Sequence, residues 1–128
     1  MKYKTNFTDP LYGRIEIWNW VLPLFHTQLA QRAREITMGT VPNQFRATGY
    51  LPSRFHHGVG AQYLVDQTRF FNSLIADEYD LRVQYVSAMM HDWGNSPYAH
   101  LIERLMKHTI SHNGESFLEV LLDSKLGN

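Results

Sequence analysis

The stretch that most restricts this chain runs from Leu81 to Glu103. Leu81, Val83, Tyr85, Val86, Met89 and Met90 form an apolar run that predicts a helix ending near Asp92. His91-Asp92-Trp93-Gly94-Asn95 follows, and then Ser96-Pro97. That pair is a helix start, with Ser as N-cap and Pro at the first helical position. His100 and Glu103 fall three residues apart, on one face of this next helix. In the middle of a helix, adjacent side chains point apart. At a helix end, where the backbone turns out, His91 and Asp92 can face the same place.

Imidazole nitrogen and carboxylate oxygen both bind borderline or hard divalent cations. A His-Asp dipeptide alone reads as an ordinary helix-end pair, so its meaning depends on partners elsewhere. The chain has no cysteine among its 128 residues, which excludes disulfides and thiolate sites and makes any metal site His/carboxylate in character. Seven histidines are many for this length and weigh towards a metal or phosphate site. The net charge is zero, so there is no electrostatic case for nucleic acid or an anionic membrane surface. No apolar run approaches the roughly 20 residues of a membrane span. Met1 to Asn6 lacks the apolar core of a signal peptide, and a soluble cytoplasmic protein is expected.

The length suits one domain. Asp9-Pro10 and Tyr12-Gly13 are turn signals, and Ile15 and Ile17 alternate with Glu16 and Trp18, so 1–22 is expected to be an extended segment. Leu22, Phe25, Leu29, Ala33 and Ile36 recur at three and four, predicting an amphipathic helix over about 23–37. Its polar side, including Arg32 and Arg34, reads as a solvated face. Residues 38–53, with two Gly and two Pro, read as a loop, and a loop this long in a small domain points to function or disorder. Ser53 can cap a helix carrying His57, Ala61 and Leu64 on one face. Further helices are expected from about Asp80 to 91, over 97–108, and after Ser111 or Asn113. The sum is an all-α bundle with a short extended N-terminal segment.

Read in order, these pieces resemble the HD-domain metal-dependent phosphohydrolases, and among them the deoxynucleoside triphosphate triphosphohydrolases. Asp9-Pro10-Leu11-Tyr12-Gly13-Arg14-Ile15-Glu16 looks like the family's opening "DPxxGxIE". Gln31-Arg32-Ala33-Arg34-Glu35-Ile36 resembles "QRLRxI", and Arg54-Phe55-His56-His57-Gly58-Val59-Gly60 resembles "RFEHSLG", with His56 where Glu is usual. His91 to His100, followed by Glu103, resembles "HDIGNPPFxHxxE". His112-Asn113-Gly114-Glu115-Ser116 resembles "HExxS", with Asn113 in place of Glu.

The resemblance implies His57, His91 and Asp92 as metal ligands. It implies His100, oriented by Glu103, as general acid or base, and His112 as a phosphate contact. Arg54 is implied in the nucleotide pocket, Asn95 beside solvent on the metal, and polar residues of 38–53 at the substrate entrance. The implied cofactor is a divalent ion: Mn, Fe, Zn, Ni, Co or Mg. The implied ligand is a nucleotide, most of all a deoxynucleoside triphosphate. HD proteins also take an Asp ligand from a later helix. Asp123 is the only Asp after Asp92 and lies 31 residues on, too close for that role. A truncated HD domain over 1–128 is therefore expected, incomplete at its C-terminus. Three explanations stay open: a fragment of an HD enzyme, a site completed by a homo-oligomer or partner chain, or a non-catalytic module that binds nucleotide or metal without turnover.

Overall fold

A computed structural model describes residues 3–39, 52–68 and 77–95, with short pieces at 104–105, 118–120 and 122–123. Strand β1 (Lys4–Asp9) pairs antiparallel with β2 (Gly13–Trp18), from Lys4 opposite Trp18 to Asp9 opposite Gly13. Asp9 closes this hairpin. Its buried Oδ1 accepts the amides of Leu11 at 2.8 Å and Tyr12 at 2.9 Å, the local side-chain turn that Asp favours. Gly13 then takes a φ of +72°, open to glycine without strain. Ile15 and Ile17 alternate inwards as period two demands, with Glu16 outside. Most of the described chain is helical, but the extended segment is a paired hairpin, so the class is helical with a small sheet rather than all-α.

The helix expected over 23–37 is two pieces. A 3-10 helix covers Asn19–His26 with Pro23 inside it, and α1 covers Gln28–Glu35. Thr27 makes the break. Its hydroxyl donates to the Leu24 carbonyl at 2.8 Å and accepts the Ala30 amide at 3.2 Å, ending one helix and capping the next. The apolar spacing survives the break, because Val21, Phe25, Leu29, Ala30 and Ala33 are all buried.

Helix α2 (Arg54–Thr68) begins where Met38 donates to the Pro52 carbonyl and Arg54 to that of Ile36. These bonds tie the end of α1 to the start of α2. Helix α3 (Glu78–Met90) is capped by Asp77, which accepts the Asp80 amide at 2.8 Å; Glu78 and Asp80 complement the helix dipole. Helices α2 and α3 meet closely at Gly58, where a Cβ would stand 1.9 Å from the Met89 carbonyl oxygen. Only glycine permits that approach. Phe55, Val59, Met89, Met90 and Trp93 join the hairpin and α1 in one core. At the other end, Lys4 donates to Asp66 at 2.8 Å, Tyr85 donates to the same carboxylate, and Trp18 donates to the Tyr85 hydroxyl at 3.1 Å. This network joins the hairpin to α2 and α3. Among the described residues, no helix is long and apolar enough to cross a membrane.

Candidate metal centre

The contact at Gly58 decides what lies beside it. His57 precedes Gly58 on α2, and His91-Asp92 follow Met89-Met90 at the end of α3, so one close helix approach brings the motifs together. Single ligand atoms of His57, His91 and Asp92 all lie within 4.8 Å of one another. Asp92 Oδ2 stands 3.5 Å from His57 Nε2 and 3.5 Å from His91 Nε2. Ligand atoms about 2.1 Å from a shared tetrahedral cation are separated by about 3.4 Å. Two imidazoles and a carboxylate at this spacing fit a divalent cation.

Two of the three groups, His91 and Asp92, are held by neighbours. His91 Nδ1 donates to the Ala88 carbonyl at 2.8 Å, which leaves Nε2 as the nitrogen that could ligate a cation. Asp92 Oδ2 accepts from Arg54 at 2.7 Å, and Oδ1 accepts from the Asn95 amide at 2.8 Å. Arg54 and Asn95 are buried, whereas the imidazoles of His57 and His91 are about 40% exposed (40% and 42%). The centre is therefore fixed from behind and open in front. Burial pushes the His57 pKa down against the pull of Asp92, and the charges of His91 and Arg54 push it further down. The neutral form favoured is the one that binds metal.

Beside His57 lies a cleft of about 280 Å³ between the hairpin turn and α2. Leu11, Tyr12, Pro52, Ala61 and Leu64 give it apolar walls, and His56 and Asp9 add polar groups. His56 is half-buried, its Nδ1 2.9 Å from the Ser53 hydroxyl.

The structure thus brings together five of the residues singled out in the sequence: Arg54, His57, His91, Asp92 and Asn95. His100, Glu103, His112 and the loop from 40 to 51 lie outside the described residues. Asp123 is exposed. Arg32 and Arg34 are not a solvated face. Arg32 donates to the carbonyls of Trp93 at 2.7 Å and Asn95 at 2.9 Å, and the Arg34 guanidinium lies 4.0 Å from the centre of the Phe55 ring. Both are half-buried. Helical spacing could not reveal this, because the partners lie on other elements, 61 and 63 residues away in sequence for Arg32. The resemblance to "QRLRxI" was the available signal.

The deoxynucleoside triphosphate triphosphohydrolase SAMHD1 homolog of Dictyostelium discoideum is 25% identical over 101 residues, 74% of this chain and 19% of that protein. SAMHD1 of Danio rerio is 27% identical over 103 residues, 76% of this chain and 16% of its own length. The chain is similar to the HD-type, dNTPase-like phosphohydrolases. It spans under a fifth of these curated HD-type relatives. A crystal structure of a phosphohydrolase from Bacteroides thetaiotaomicron superposes with a TM-score of 0.72 over 94% of this chain and 30% of that one, at 21% identity, and shows that the fold is shared. No family model matches the chain.

Proposed function

We propose that His57, His91 and Asp92 hold a divalent metal ion in a phosphohydrolase acting on nucleotides, deoxynucleoside triphosphates above all. The observation that carries this is the cluster itself, three ligand atoms within 4.8 Å on a carboxylate fixed by Arg54 and Asn95. When bound, such an ion supplies Lewis acidity to a phosphoryl oxygen and to water. The chain's own residues do the rest. Arg54 and Asn95 hold Asp92 oriented towards the two imidazoles. His91 presents Nε2 because Ala88 occupies its other nitrogen. His57 and His91 leave the front open for an incoming phosphate. By the family resemblance, His100 with Glu103 moves the proton, and His112 contacts phosphate. The apolar cleft bordering His57 supports a substrate with a flat or apolar part next to its phosphates, as a nucleoside has. Three protein ligands leave a tetrahedral cation one open position, for water, for substrate or for the further Asp that the resemblance implies.

The test is metal content by elemental analysis of the wild type, His57→Ala and Asp92→Ala, followed by a screen for dNTP hydrolysis. About one transition metal per chain, lost in both variants, is the expected result. Absence of metal from the wild type after reconstitution would overturn the ligand assignment. Metal without hydrolysis would instead favour a binding module.

A further inference from the structure

We propose that Arg32 is a positioning residue of the metal centre, acting through the backbone that carries Asp92. The inference rests on the metal reading above. The end of α3 leaves its last carbonyls without helical partners. Arg32, reaching from α1, takes two carbonyls just beyond that end, Trp93 at 2.7 Å and Asn95 at 2.9 Å, with its two terminal nitrogens. A planar guanidinium fixes the direction as well as the distance of both acceptors. One accepting residue follows the ligand Asp92 directly. The other is Asn95, whose side chain holds Asp92 Oδ1. The two bonds bracket Gly94 and set the curvature of the turn on which the carboxylate's aim depends.

The same helix touches the other half of the centre. Arg34 lies over the Phe55 ring, two residues before His57, and Phe55 stacks on Trp93 with ring centres 6.0 Å apart. Helix α1 thus braces α2 and the 91–95 turn against each other, and Arg32 is its polar clamp. A packing role alone would lower stability. A positioning role also changes the metal site of the folded protein.

Co²⁺ binding to the full chain separates these. Affinity is read by chelator competition and geometry by the visible absorption of bound Co²⁺, for wild type, Arg32→Ala, Arg32→Lys and Lys4→Ala. Loss of a group supporting metal ligands typically weakens binding about 10- to 100-fold. Arg32→Ala should show a loss in that range and an altered spectrum. Arg32→Lys, which keeps the charge but not the fork, should fall between, and it decides the matter if the alanine variant does not fold. Lys4→Ala breaks the Asp66 network at the far end of α2 and α3. It should lower the Tm and leave Co²⁺ affinity within about twofold, since supporting effects are local to the ligands. Wild-type affinity and spectrum in both Arg32 variants would overturn the proposal. So would an equal loss of affinity in Lys4→Ala. A wild type that binds no Co²⁺ would overturn the metal reading first and this one with it.

Discussion

Arg54 donates to Asp92 Oδ2 at 2.7 Å, and that oxygen is the one standing 3.5 Å from the Nε2 atoms of both His57 and His91. The guanidinium is 6% exposed and the carboxylate 18%, so the pair is largely withdrawn from water. Removing one partner of a buried pair leaves the other charge uncompensated, at a cost of about 3 kcal/mol. Arg54→Ala should lose somewhat less, about 2 kcal/mol, because Asp92 keeps Asn95 and some solvent. A cation at the centre would compensate the same carboxylate. The loss should therefore shrink when metal is present. Urea denaturation with chelator and with Mn²⁺ measures both values. Equal losses in the two would mean that Arg54 does not act through the charge on Asp92.

Gly58 makes a sharper demand. A Cβ there meets the Met89 oxygen at 1.9 Å and the Met89 carbonyl carbon at 2.9 Å, and both are backbone atoms that cannot swing aside. Gly58→Ala must push α2 and α3 apart. The expected cost is at least about 3 kcal/mol, in the range of severe overpacking. Separation should also carry His57 away from His91 and Asp92, so metal content should fall even in the fraction that stays folded. Gly13→Ala is the contrast. It strains a positive φ but meets nothing within 4 Å, so it should cost about 1 kcal/mol and leave metal binding alone. Similar effects of the two substitutions would show that the close helix contact is not what assembles the centre.

The core of the site could be read from the sequence because its residues sit at helix ends beside recognisable motifs. His91-Asp92 close α3, and Arg54 and His57 open α2. The hairpin was half legible, since Asp9-Pro10 and Tyr12-Gly13 mark its turn and Ile15 and Ile17 its inner face. Its partner, β1, was not. Lys4–Asp9 has no clean alternation, because only Phe7 packs inwards on the core and Asp9 is buried as a turn-former. The 3-10 helix was hidden for another reason. Val21, Phe25 and Leu29 keep one apolar spacing across the Thr27 break, and burial periodicity does not register a cap that interrupts the backbone. Arg32 was misread because polar residues on a helix face look alike whether they meet water or distant carbonyls.

The buried turn carboxylate of Asp9 gives a test of the hairpin that is independent of the metal. Its Oδ1 holds two amides, and its neighbours in the turn wall the cleft beside His57. Asp9→Asn keeps an acceptor oxygen and should cost under about 1 kcal/mol. Asp9→Ala leaves both amides without their side-chain acceptor and should cost about 2 kcal/mol. Denaturation midpoints at matched slope give the comparison. If alanine proved as benign as asparagine, the two hydrogen bonds would contribute nothing to hairpin closure.

Asp66 should make part of the fold acid-sensitive. Burial alone would raise its carboxyl pKa. Hydrogen bonds from Lys4, Tyr85 and Trp18, together with the Lys4 charge, outweigh that and hold it below the usual 3.8. With the folded value depressed, the unfolded chain binds the proton more readily. The stabilisation is thus complete above the usual value and is lost as pH falls through the folded one. Asp66→Asn removes this titration and weakens the tie to Lys4. At pH 7 it should be less stable than wild type by about 1–2 kcal/mol. The gap should narrow below pH 3.8 and close once the wild-type carboxyl is protonated. Urea unfolding of both proteins at pH 7, 5 and 3 follows the gap directly, since the other carboxylates are common to the two. A gap that stayed constant from pH 7 to 3 would mean that Asp66 contributes through packing and not through its charge.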